Sequence, residues 1–287
     1  MNQPRYLNQF EKDINSQSGE DGIIEKILET IPPGPKWVVE FGASDGLFKS
    51  NSRRLITDFA WNAVLIEPEP IAFGCLEKNY ADHTEQVTIF NRMVSPDGKD
   101  SLDNILMDTP CPPDFTLMVI DVDGDDLPIW EGVELYRPRV VCIEHNCTMP
   151  NEIVYRSQPN DGGCGSSLYS IIKSARTRGY ELVCVTTFNA IFVLRELYPL
   201  FDLVTNNLWY LRPHAPYATF MFQSADGTVH LAGARSMPWH SMILDESRMQ
   251  QLPKWLRTTN KKWYHTLAMK WIQRRRNRKS EITFTPV

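Results

Sequence analysis

The sequence predicts an α/β fold: a mostly parallel seven-stranded sheet with helices on both faces and its last strand antiparallel. Three observations predict it. Seven short apolar or β-branched runs recur along the chain, WVVEFG (37–42), AVLIEP (63–68), VTIFN (87–91), FTLMVIDV (115–122), RVVCIEH (139–145), YELVCVTT (180–187) and AIFVLR (190–195). Most are almost continuously apolar, as parallel strands covered on both faces must be. Stretches with helical character separate the early runs, whereas only Phe188-Asn189 separates the last two, which therefore pair as an antiparallel hairpin.

The elements follow in order. Ile23, Ile24, Ile27, Leu28 and Ile31 fall on one helical stripe within 20–31, with Ser18 as the expected N-cap, and Pro32-Pro33-Gly34-Pro35 stops the helix. Further helices are expected at 50–59, 70–80, 102–108, 126–136 and 167–178. From about 205 the pattern changes, and TFMFQSADGTVHLAGA (219–234) reads as a second hairpin around Asp226-Gly227, since Asp-Gly supplies the positive φ that a tight turn needs. Three regions are therefore expected: an α/β domain over 1–200, an extension with the hairpin over 201–253, and a Trp-rich basic tail over 254–287.

Composition narrows the class. The 287 residues, 42% hydrophobic and 23% charged, suffice for a sizeable core and exclude a disordered or collagen-like chain. No apolar run approaches the ~20 residues that span a bilayer, and the polar start is not that of a cleaved secretory signal. Six cysteines without a CxxC pair suit a reducing compartment, so a cytoplasmic location is expected. Residues 254–279 hold ten Lys or Arg and no acid, which leaves −15 on the remainder to give the net charge of −5. The basicity belongs to the tail.

The strongest chemical signal is Glu40-Phe41-Gly42-Ala43-Ser44-Asp45-Gly46, directly after the first strand. Glycines at 42 and 46 permit a tight turn and close approach of a ligand. The G-x-G-x-x-G of a dinucleotide site is absent, and E-x-G-x-x-D-G puts carboxylates where a pyrophosphate would be repelled. Such acids suit a ligand bearing positive charge and an amino group, such as S-adenosylmethionine. Glu67, ending the second strand 27 residues after Glu40, is positioned to accept both hydroxyls of a ribose. Asp121, Asp123, Asp125 and Asp126 crowd the end of the fourth strand, and Glu144-His145-Asn146 ends the fifth. For these a divalent-metal site, a general base with its orienter, and helix caps compete.

SQSGEDGIIEKI (16–27), VVEFGASDGLFKSNSRRL (38–55), LIEP (65–68), SLDNIL (101–106), VIDVDGDD (119–126), RVVCIEHN (139–146), SSLYSIIKSARTRGYELV (166–183) and NAIFVL (189–194), in this order, resemble the FkbM-type S-adenosylmethionine-dependent methyltransferases. The resemblance covers roughly residues 16–195. It implies a class I methyltransferase fold of Rossmann-like type, with Glu40, Gly42, Asp45 and Gly46 on the methionine and ribose side of the cofactor, Glu67 on the ribose hydroxyls and Asp121 facing the sulfonium. The family often has Asp-x-Glu-Gly after the fourth strand. Here Asp123 holds the third place, one methylene shorter.

The expected reaction is methyl transfer to a hydroxyl of a sugar, glycoconjugate or other small metabolite. His145 and Asp123 are the candidate proton acceptors, and Asp121 and Glu144 the candidate ligands of a magnesium ion. The long loop 147–166 reads as an acceptor lid with hinges at Gly162, Gly163 and Gly165 and polar contacts from Tyr155 and Asn160. In the tail, Trp263, Leu267 and Trp271 are expected to form an apolar side opposite Lys262, Lys270 and Arg274, suited to peripheral contact with the anionic inner membrane face. Two rivals stand beside this reading. One is a nucleotide- or glycan-binding protein that kept the fold without turnover, and the other an RNA methyltransferase recruited by the tail. The acidic body argues against nucleic acid.

Overall fold

A computed structural model describes residues 6–158 and 162–276. Asn160 of the expected lid and the tail beyond residue 276 lie outside them. The chain divides into two compact units after Ala215.

The first unit runs α1 (Glu20–Thr30), β1 (Trp37–Phe41), α2 (Arg53–Phe59), β2 (Asn62–Ile66), α3 (Pro70–Asn79), β3 (Val87–Phe90), α4 (Leu102–Met107), β4 (Leu117–Ile120), α5 (Asp126–Gly132), β5 (Val140–Glu144), α6 (Leu168–Thr177), β6 (Tyr180–Val185), β7 (Asn189–Leu194) and α7 (Leu208–Leu211). The seven expected strands form one sheet of order β3-β2-β1-β4-β5-β7-β6. Strand β7 is antiparallel to both β5 and β6. It is inserted between them, so β6 and not β7 forms the edge.

Alternation along the strands sorts the core into two layers. Val38, Ala63, Leu65, Val119 and Cys142 point toward the face covered by α1, α2 and α3, where Ile23, Ile27, Ile56 and Leu76 meet them. Val39, Phe41, Ile66, Ile120 and Ile143 point to the other face, onto Leu106, Trp130 and Ile171 of α4, α5 and α6. Burial of these side chains, each worth about 1.5–3 kcal/mol, is the main term holding the unit together.

Local polar bonds explain where helices depart from the expected bounds. α1 has Gly19, not Ser18, at its N-cap. Its first residues are tied elsewhere: Glu20 accepts from Thr186 Oγ1 at 2.6 Å and Asn189 Nδ2 at 3.1 Å, and Asp21 accepts from the N–H groups of residues 14, 15 and 16. α2 starts at Arg53, because Ser50, Asn51 and Ser52 turn back onto Glu40. α5 ends at Gly132, beyond which the N–H groups of Glu134 and Leu135 donate to Asp103 of α4.

The second unit contains the expected hairpin, β8 (Thr219–Gln223) and β9 (Val229–Gly233), a shorter one, β10 (Ser236–Met237) and β11 (Met242–Ile243), and α8 (Trp263–Arg276). One expectation for α8 is overturned. At about 100° per residue, Leu267 and Trp271 lie roughly 40° and 80° from Trp263, Arg274 at about 20° and Lys270 at about −20°. These five are exposed together. His265, Ala268, Met269 and Ile272 turn the other way and are buried or half-buried. Lys270 and Arg274 therefore share the aromatic side, and Lys262 precedes the helix.

Candidate functional site

Sheet register brings the site together. Phe41 pairs with Ile66 on one side and Ile120 on the other, and Ile120 with Ile143. One step further along the chain stand Glu67, Gly42, Asp121 and Glu144, a level row across β2, β1, β4 and β5. Between β1 and β4 the strand order reverses, and ligands of open α/β sheets bind in the crevice beyond the carboxyl ends of the strands at such a point. Gly42 leaves the middle of the row without a side chain.

Two of the expected cofactor residues serve the scaffold. Glu40, 4% exposed, accepts from Ser50 Oγ at 2.9 Å, the Asn51 N–H at 3.0 Å and Ser52 Oγ. Burial raises its pKa against those bonds. Asp45 caps its own turn, accepting from the N–H groups of Leu47 and Phe48 at 2.9 Å each. The glycines are needed for a reason other than ligand approach. A Cβ on Gly42 would stand 1.6 Å from the Asp121 carbonyl oxygen, and one on Gly46 would stand 2.5 Å from the Tyr80 ring. Both residues have positive φ, 78° and 69°.

Glu67 is held rather than used up. One oxygen accepts from the Ser44 N–H and the other from the Glu69 N–H, each at 2.7 Å. Each carboxylate oxygen retains a lone pair. The turn after β1 and the end of β2 are thereby locked together, with the carboxylate beside Gly42.

Asp121, Asp123 and Glu144 each place a carboxylate oxygen so that all three lie within 4.8 Å of one another. Among the described residues none hydrogen-bonds the Asp121 carboxylate. Burial first, then the charges of neighbouring carboxylates, Asp126 and Asp123 among them, push the Asp121 and Glu144 carboxyls well above the usual range, while Lys49 pulls the other way. Lys49, at φ 63° in the loop after Gly46, is the cation whose charge offsets theirs, which its bare position in a polar loop did not reveal. Asp123, also at positive φ (54°), is exposed on the turn. Asp126 closes that turn from below, accepting from Val122 N at 2.9 Å and Gly124 N at 3.0 Å, and burial raises its carboxyl to about 6.

His145 does not join the cluster. The alternation that puts Glu144 on the α1 face turns His145 to the opposite one, where it is 2% exposed and neither ring nitrogen finds a well-formed hydrogen bond among the described residues. Burial and the Arg212 charge push its imidazole down to about 3, so it is neutral but a very weak base. Buried and of low basicity, the ring is poorly suited to the expected proton-accepting role. His145→Ala is expected to destabilise the protein by about 2–4 kcal/mol, as large-to-small core changes do, while any transferase activity per folded molecule stays within about threefold. Denaturation and active-site titration would separate the two effects.

The 147–166 loop is anchored at its base. Ser167 N donates to Tyr155 O at 2.9 Å, Ser157 N to Ser166 Oγ at 3.0 Å, and Asn146 Nδ2 to Cys164 O. The buried Arg212 guanidinium donates to the carbonyls of Met149 and Cys147 and to Asn151 Oδ1. Past the residues left undescribed, Gly163 rests on the acidic turn, where a Cβ would come 2.7 Å from Asp123 O.

No protein-family model and no curated protein matches the chain. Several solved structures are similar at low identity. A SAM-dependent methyltransferase from Aquifex aeolicus is 12% identical over 58% of this chain and 86% of that one, with a TM-score of 0.36. The magnesium protoporphyrin IX methyltransferase of Synechocystis PCC 6803 is 10% identical over 61% and 77%, with a TM-score of 0.38. The cyclase SpnF is 13% identical over 61% of this chain and 63% of its own length, with a TM-score of 0.37, so this chain spans less than two-thirds of it. The strand order 3-2-1-4-5-7-6 with an antiparallel β7 is that of the class I methyltransferase fold.

Proposed function

We propose that this protein is an S-adenosylmethionine-dependent O-methyltransferase of FkbM type, acting on a hydroxyl of a sugar, glycoconjugate or small metabolite. The observation that carries the reading is the level row Glu67, Gly42, Asp121 and Glu144 at the point where the strand order reverses. The row fits the cofactor. Glu67, fixed by two backbone N–H groups, has lone pairs left for the ribose hydroxyls. Asp121 offers an uncommitted carboxylate to a cation. When bound, S-adenosylmethionine supplies an electrophilic methyl group.

What the chain must add is alignment and a destination for the hydroxyl proton. The carboxyls of Asp121, Asp123 and Glu144 are the groups that support that role. The raised proton affinity of Asp121 and Glu144 makes these two, once ionised, stronger bases than ordinary carboxylates. A divalent cation, magnesium by the hardness of the three oxygen donors, would be held by the same three residues and would act as a Lewis acid on the acceptor oxygen. The loop resting on Asp123 through Gly163 is suited to enclose the acceptor.

Glu67→Ala tests the cofactor half. Each charge-assisted hydrogen bond lost should weaken binding by about 1.5–3 kcal/mol in calorimetry, and unchanged affinity in a folded variant would remove Glu67 from the site. Transfer of labelled methyl to a panel of hydroxylated acceptors, with magnesium or with chelator, tests the rest. Cofactor binding without transfer to any acceptor would instead favour a binding protein that kept the fold.

A further inference from the structure

The second unit leaves an unusual amount of apolar surface in water. On α8, Trp263 is 75% exposed and Leu267 and Trp271 57% each, with Lys270 and Arg274 exposed on the same side. The β10–β11 hairpin adds a second apolar element. Met237, Trp239, Met242 and Ile243 are all exposed, Ile243 by 79%, and no charged residue stands between Arg235 and Asp245. Single exposed apolar residues are ordinary, but clusters of this kind mark a surface that is covered when the protein works.

We propose that the second unit docks on an anionic lipid bilayer, with α8 lying in the headgroup layer and the β10–β11 hairpin dipping into it. Charge identifies the occupant. Residues 254–279 carry ten cations and no acid, a one-signed field that matches a one-signed partner. Tryptophan beside lysine and arginine on one helix side is the pairing that sits at a membrane boundary, the rings at the edge of the hydrocarbon and the cations on lipid phosphates. Fourteen residues make a helix about 21 Å long, and no helix among the described residues is long and apolar enough to cross a membrane, so α8 lies along the surface. Single-stranded RNA also takes up aromatic rings and cations. It has no use for aliphatic Leu267, Met242 and Ile243, which an acyl layer buries.

The inference does not depend on what the first unit catalyses. Sedimentation of the full chain with vesicles tests it, using phosphatidylcholine alone and phosphatidylcholine mixed with phosphatidylglycerol. The protein should pellet with the mixed vesicles at low salt, stay in solution with the neutral ones, and be released by high salt. Lys270→Gln with Arg274→Gln should lower the partition coefficient about tenfold or more. Trp263→Ser with Leu267→Gln should do the same, without altering the circular dichroism spectrum, because both side chains point to solvent. Trp239→Ser probes the hairpin independently of α8. Failure to pellet with anionic vesicles at low salt would overturn the proposal. So would tight binding of a uridine homopolymer that these α8 substitutions abolish while vesicle binding persists, since that would assign the face to RNA.

Discussion

Gly42→Ala is expected to destabilise the protein by more than about 4 kcal/mol. The added Cβ would lie 1.6 Å from the Asp121 carbonyl oxygen, a backbone atom of a residue whose own N–H is held by the Phe41 carbonyl at 3.2 Å. The left-handed φ of 78° adds strain of about 1–2 kcal/mol for any residue with a side chain. Gly98→Ala is the matched control, with φ 75° and nothing within 4 Å of its Cβ position. It should cost only the strain. Urea denaturation of both variants isolates the crowding, and a Gly42→Ala protein as stable as Gly98→Ala would show that β4 can move aside. That movement would displace Asp121 as well, so surviving protein should also lose affinity for S-adenosylmethionine.

Asp121→Asn is expected to act in opposite directions on activity and stability. On the proposed reading, methyl transfer should fall about 10² or more, because the substitution removes a carboxyl proposed to face the cofactor and to belong to the proton-accepting cluster. Stability should rise. A carboxyl whose pKa is raised on folding contributes stability at low pH that is lost as pH climbs through its folded value, and Asp121 is raised by burial and then by the charges of Asp126, Asp123 and Glu40. The asparagine variant escapes that loss. Its advantage should be absent in acid, grow once pH exceeds the ordinary carboxylate range, and reach roughly 1–3 kcal/mol near neutrality. Thermal unfolding across pH reads it directly, and a variant less stable than wild type at neutral pH would mean that the cluster is already neutralised.

The strands were legible because burial on both faces leaves little room for polar residues, and the position of Glu67 just past β2 followed from them. Other parts depend on contacts distant in sequence. Nothing in Glu40 alone tells that Ser50 and Ser52 fold back to satisfy it, or that the carbonyl of Asp121, far along the chain, fills the space over Gly42. Arg212, in a stretch of no evident pattern, gives no sign of the buried bonds it makes to the 147–151 segment. Two readings were recoverable from periodicity. Consecutive residues on a strand face opposite ways, which separates His145 from Glu144. The 100° step of a helix places Arg274 between Trp263 and Leu267.

The insertion of β7 between β5 and β6 has a consequence for synthesis. Until residues 189–194 have left the ribosome, β5 presents a bare edge, apolar except for Glu144 at its end, and β6, made just before, has no partner of its own. The nascent chain therefore carries an adhesive strand through the making of about fifty residues, from Val140 to Leu194, at a rate of roughly 5–20 residues per second. Glu20 shortens the danger at its end. Its carboxylate waits at the start of α1, made long before, and captures Thr186 and Asn189 as the last hairpin arrives, so the earliest helix receives the latest strand.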